Sequence, residues 1–167
     1  YSSAASDVYK RQDMRYCSED AFFKIAEVDI GIAADVGTLQ RLPSLIPLAV
    51  LRELAYTGRK CDSAEAKSLG LVNEVYSSVD NMMEEVQKIA QTIASKSPLV
   101  TRVIKKQINY ARDNSVRDSL EYHAMWNASL ISHKDTETAL TAFMNKSEGE
   151  FDDLEELKSF WEKEGLI

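Results

Sequence analysis

Cysteine is scarce: Cys17 and Cys61 are the two in 167 residues, 44 positions apart and outside any close Cys/His cluster. That spacing excludes a disulfide scaffold and a structural zinc centre, and reduced thiols in an intracellular compartment are expected. No apolar run approaches the roughly 20 residues needed to cross a bilayer, so a soluble protein without a membrane span is expected. The 6 glycines form no phosphate cradle, and the chain has no internal repeat or low-complexity tract. Positive charge is in deficit, with Lys+Arg 20 against Asp+Glu 27 and a net charge of -7. Such a balance is a poor basis for gripping phosphate backbone, and no nucleic-acid partner is expected. What remains, 44% hydrophobic and 28% charged, is the composition of one ordinary globular domain rather than a disordered chain.

Residues 1–12 lack an initiator Met and any sustained apolar period, and read as a non-native or truncated edge. From Asp13, the apolar patches at Met14, Tyr16 and Ala21 to Phe23 predict two short strands separated by the polar Ser18-Glu19-Asp20. Residues 27–42 read as a loop leading into a short helix that Pro43 interrupts. Pro47 suits the first turn of a helix carrying Leu48, Leu51, Leu54 and Ala55, which Gly58 stops. Ser63 starts another helix ended by Gly70, and Leu71-Val72 with Val75 suggests one more strand. Val79, Met82, Met83, Val86, Ile89, Ala90 and Ile93 then lie on one helical stripe. Further helices are predicted from Pro98 to the Asp113-Asn114-Ser115 break, from Val116 past Leu130, and around Ala139, Leu140, Phe143 and Met144. Residues 148–167 form an acidic amphipathic tail with Phe151, Leu154, Leu157 and Trp161. Short strands followed by helices with wide apolar stripes leave surfaces in need of cover, as in half of a larger architecture.

Glu27 and Asp35 stand eight residues apart among Ile25, Val28, Ile30, Ile32 and Val36. Carboxylates in apolar company suit proton transfer near neutrality, because desolvation disfavours the charged form. The structural alternative is that Asp35 caps the following helix, worth about 1 kcal/mol, and that Glu27 is a loop acid. Asp29 shares the face of Glu27 by alternation, so spacing alone does not choose among them. His123 reads as a packed or hydrogen-bonded core histidine and His133 as a helix-end residue. Arg102, Lys105 and Lys106 could hold an anion or form a solvated helix face, and Phe143 with Lys146 could be core plus surface.

The segment from Glu27 to Pro43, with Asp35-Val-Gly-Thr-Leu-Gln-Arg41 at its centre, resembles the signature region of the crotonase (enoyl-CoA hydratase/isomerase) superfamily. It is nearest to the dienoyl-CoA isomerase branch. Thr57-Gly-Arg59, Ala64-Glu65-Ala66, Gly70 to Val75, Ser97-Pro98 with Lys105, and Tyr110 to Ser115 resemble the same family in order and spacing.

The resemblance implies an α/β fold: residues 13–96 as the C-terminal part of a crotonase-like strand-strand-helix spiral, and 97–147 as a helical oligomerisation region. It implies a homotrimer or hexamer acting on an acyl-CoA thioester, with no metal or redox cofactor, coenzyme A being part of the substrate. The implied reaction, part of fatty acid beta-oxidation, moves the double bonds of a 3,5-dienoyl-CoA to the 2,4 positions. Asp35 would be the base beside the thioester and Glu27 the acid at the distal carbon. Phe143 and Lys146 fall where relatives contact the CoA nucleotide, and a cation there suits phosphate. The family's oxyanion-hole donors belong to segments before Tyr1, so the 167-residue chain is expected to be inactive alone. A third family acid lies 20 residues before Glu27, at Asp7 by count, although Val8 to Gln12 does not resemble the family. A mitochondrial location is expected, with a peroxisomal alternative; Gly165-Leu-Ile167 is not the Ser-Lys-Leu signal. The competing expectations are an enoyl-CoA hydratase using Glu27, and a noncatalytic oligomerisation module.

Overall fold

The computed structural model describes residues 12–131 and 133–154; Asp7 and the Leu157 to Trp161 stretch of the tail lie outside the described residues. The chain forms two compact units that divide between Gln87 and Lys88. No helix among the described residues is long and apolar enough to cross a membrane.

The first unit carries the strands β1 (Tyr16–Ser18), β2 (Phe22–Phe23), β3 (Cys61–Asp62) and β4 (Glu74–Tyr76) and the helices α1 (Thr38–Arg41), α2 (Leu48–Thr57) and α3 (Ser63–Ser68). β1 pairs in parallel with β4, Tyr16 opposite Glu74, whereas β2 pairs antiparallel with β3, Phe22 opposite Asp62. Arg15 ties the entry to β1 to the approach to β4: its backbone N–H donates to Asn73 Oδ1 at 2.8 Å and its Nε to the Leu71 carbonyl at 2.5 Å.

The strand expected at Leu71-Val72 is confined to β4. The Leu71 and Val72 amides donate instead to the Ala66 carbonyl at 2.9 and 3.3 Å, closing the end of α3, and both side chains enter the core. Helix termini otherwise follow local chemistry. Asp62, rather than Ser63, caps α3 by accepting the Glu65 amide at 2.8 Å. Ser63 is buried and its hydroxyl donates to the Glu19 carbonyl at 2.7 Å, fastening α3 to the β1–β2 turn. Pro47 precedes α2 as its N-cap, and Gly58 ends it in the left-handed region.

Leu42, Ile46, Leu51, Leu54, Cys61 and Ala66 sit at the centre of the first unit's core. Burial, then the neighbouring Glu65 charge, pushes the Cys61 thiol up to about 11, which makes it an inert packing residue. On the surface, Arg59 forks onto Glu65 at 2.7 and 2.8 Å and reaches Glu53 at 2.6 Å, joining α3 to α2. The hydrogen bonds from Arg59 hold the Glu65 carboxyl below its ordinary value.

Helix α4 (Val79–Ala94) runs through the division, and the second unit continues with α5 (Pro98–Asp113), α6 (Val116–Ile131) and α7 (Lys134–Asn145). The buried Ser97 hydroxyl caps α5 by accepting the Val100 amide at 3.1 Å, and it donates to the buried Asp135 carboxylate at the start of α7. Tyr110 on α5 stacks on Tyr122 of α6 at 4.1 Å, Tyr122 meets Trp126 edge-on, and Lys106 lies 4.9 Å from the Trp126 ring. His123 is hydrogen-bonded, as its position suggests, but it is exposed rather than in a core. Its Nδ1 donates to Gln107 Oε1 and its Nε2 accepts from Asn127, each at 2.8 Å. Phe143 departs from the core alternative: α7 buries Asp135 and Ala142, one helical face, which leaves Phe143 79% exposed.

Candidate active site

Glu27 opens a single 3-10 turn, Glu27–Ile30, which Gly31 terminates at φ 76 with its N–H directed at the Glu27 and Val28 carbonyls. The turn is held against the C-terminus of α2 by a close approach. A Cβ on Gly58 would stand 2.9 Å from Asp29 Oδ1 and 3.1 Å from Val28 Cγ1, and Gly58 itself has φ 59. Gly58→Ala therefore combines backbone strain with displacement of the turn that carries Glu27. Its expected cost is about 1–3 kcal/mol of stability, read as a fall in the urea midpoint at unchanged slope.

The Glu27 side chain is 9% exposed and lines a cleft of about 590 Å³ in the first unit. Ile25, Val28, Ile32, Leu39 and Leu51 are among the mostly apolar residues of the wall, a size and lining suited to an apolar ligand. The Glu27 carboxylate makes no hydrogen bond or ion pair with any described residue. A nearly buried acid without a protein partner is costly. A carboxylate set in an apolar cleft is of the kind suited to proton transfer.

Asp35 is exposed and is not part of the cleft wall; it directly follows Ala33 and Ala34, which are. The capping alternative for it is not realised, because Gly37 is the N-cap of α1 and no side chain caps the helix. Asp29, the third acid considered, pairs with Lys24 at 2.7 Å and is half exposed, a surface ion pair. The pattern thus leaves Glu27 and Asp35 without a structural task among the described residues, and gives Asp29 one.

Phe143 and Lys146 lie at the end of α7 in the second unit, Phe143 exposed and Lys146 capping the helix at φ 52. His133 caps the start of α7 by accepting the Asp135 amide at 3.2 Å. Sequence reasoning passed over Arg52, the cleft's other charged lining residue. A signal was available: a cation interrupts the Leu48, Leu51, Ala55 stripe of α2.

The sequence model of the enoyl-CoA hydratase/isomerase family matches residues 9–154. The chain is 44% identical over 145 residues to the peroxisomal Delta(3,5)-Delta(2,4)-dienoyl-CoA isomerase of Arabidopsis thaliana, covering 87% of this chain and 52% of that protein. It is 43% identical over 143 residues to the mitochondrial Delta(3,5)-Delta(2,4)-dienoyl-CoA isomerase of Rattus norvegicus, covering 85% and 44%. The solved enoyl-CoA hydratase from Bacillus anthracis has a TM-score of 0.83 at 31% identity, covering 87% of this chain and 56% of that one. A probable enoyl-CoA hydratase/isomerase from Mycobacterium abscessus shares the fold at TM-score 0.84 and 23% identity, covering 89% and 57%. The chain spans about half the length of the curated relatives it matches. An α/β arrangement of this kind, matched by the family's sequence pattern over most of its length, makes the chain a member of the enoyl-CoA hydratase/isomerase family.

Proposed function

We propose that the protein containing this chain is a dienoyl-CoA isomerase that converts 3,5-dienoyl-CoA to 2,4-dienoyl-CoA. The observation that carries the reading is the buried Glu27 carboxylate, unpartnered among the described residues and lining an apolar cleft. Asp35, which neither caps a helix nor pairs with any described residue, is the second acid. Asp35 takes a proton from C2, beside the thioester carbonyl. The electron pair moves through the conjugated system, so that C2=C3 and C4=C5 form as C3=C4 and C5=C6 are lost. Glu27 delivers a proton to C6. One proton leaves and one arrives, so the product is an isomer and no electron acceptor takes part. Negative charge on the thioester oxygen during transfer calls for backbone N–H donors preorganised around it.

The chain supplies the C-terminal part of the crotonase-type core and the helical region used for assembly into trimers or hexamers. The apolar side chains that α6 and α7 leave exposed, among them Leu120, Met125, Leu140 and Met144, support such cover by other protein. Phe143 and Lys146 hold the nucleotide part of the thioester, where a cation suits phosphate. The rat, mouse and human relatives named mitochondrial favour a mitochondrial protein, with the peroxisomal Arabidopsis relative as the alternative.

The test is a side-by-side assay of the full-length enzyme with a 3,5-dienoyl-CoA and a 2-enoyl-CoA of equal length. Appearance of the 2,4-dienoyl thioester faster than hydration of the enoyl substrate is expected. Hydration as the faster reaction would replace isomerase by hydratase, and activity on neither would leave an assembly module.

A further inference from the structure

Helix α2 presents Leu48, Leu51, Arg52 and Ala55 to the cleft, positions i, i+3, i+4 and i+7, which share one helical face. Arg52 is therefore a cation set into the apolar stripe of the wall. It makes no hydrogen bond or ion pair with any described residue. Its neighbour Glu53 is engaged by Arg59 at 2.6 Å, and Glu27, the other charged lining residue, makes no ion pair with it. An arginine stem can lie along apolar surface while its head stays in water. An occupant that reaches the head displaces part of its water, and the cost is offset where the occupant supplies an anion. The planar fork of the guanidinium fits the paired oxygens of a carboxylate or a phosphate.

We infer that Arg52 is a specificity-determining residue that pairs with an anionic group of the substrate itself. Two sources share that chemistry: a carboxylate ending the acyl chain, as in a dicarboxylic acyl thioester, and a phosphate of the carrier nucleotide. The inference rests on the acyl-thioester reading of the cleft and adds the class of substrate that the cleft prefers.

The test measures calorimetric binding to the full-length protein, with no turnover required. The probes are saturated acyl-CoA thioesters of equal length ending in methyl or in carboxylate, and the same acyl groups on pantetheine, which lacks the nucleotide. Arg52→Leu exchanges an exposed helical residue for another good helix former, and Arg52→Lys keeps the charge without the fork. The expected result is a carboxylate-over-methyl affinity ratio that falls about ten-fold in Arg52→Leu and only in part in Arg52→Lys. A like fall in the CoA-over-pantetheine ratio instead assigns the anion to the carrier. Both ratios unchanged in Arg52→Leu, with thioester binding intact, overturns the inference and leaves the isomerase reading standing. Failure of the wild-type protein to bind any of the thioesters overturns both.

Discussion

Replacing Asp35 by Asn in the full-length enzyme is expected to lower isomerisation of a 3,5-dienoyl thioester by roughly 10²–10⁴-fold, the range for loss of one positioned general acid or base. Glu27→Gln is expected to fall by a similar factor. Both changes keep side-chain shape, and neither carboxylate has a partner among the described residues, so the melting temperature stays near the wild-type value. The two variants are expected to differ in heavy water. With Asp35 intact, the Glu27→Gln protein still removes and returns the C2 proton, so deuterium enters the recovered substrate at that carbon. The Asp35→Asn protein shows exchange lowered as far as its product formation. Full turnover by either variant would remove that acid from the reaction, and exchange surviving in Asp35→Asn would reverse the assignment of base and acid.

Leu54→Ala is expected to destabilise the protein by about 2–5 kcal/mol, the range for truncating a buried leucine. Leu54 is 4% exposed and borders a void of about 20 Å³ with Leu42, Ile46, Cys61 and Leu71. Removing its isobutyl group enlarges an existing gap beneath α2 instead of exposing a surface that can relax into water. Leu48, on the same helix but 50% exposed, provides the control. Leu48→Ala is expected to cost less than about 1 kcal/mol. Urea denaturation followed by circular dichroism separates the two, and equal losses would show that α2 is not anchored through Leu54.

Helices α4 to α7 were legible from apolar spacing, and Pro47, Gly58 and Pro98 marked boundaries, because caps and periodicity are local properties. β3 escaped the reading: two residues, Cys61 and Asp62, are too few for alternation to register, and the pairing with β2 is a tertiary event. Leu71-Val72 was drawn into a strand because buried β-type residues look alike whether their amides pair with a neighbour or close a helix end. The same limit applied to Phe143, whose helical spacing is correct although the buried face of α7 runs through Ala142. Glu27 was recognisable as an acid in apolar company, and its burial agrees. For Asp35 the residues alone favoured a cap, and only the family resemblance offered a proton carrier; the left-handed Gly37 as N-cap of α1 is what removes the cap. Arg52 was missed because a charge on a helix is ordinarily solvated, and only the position of the cleft gives it meaning.

The parallel β1–β4 ladder sets a schedule for synthesis. Arg15 and Asn73, which lock its entry, are 58 residues apart. At 5–20 residues per second, the first strand leaves the ribosome roughly 3–12 s before its mate does. During that wait Tyr16 to Ser18 lack their β4 partner, so nascent chains halted short of Tyr76 expose an edge that chaperones or neighbouring polysomal chains can bind. Ribosome-arrested nascent chains ending before and after Tyr76, probed by limited proteolysis, are the natural place to see that edge disappear.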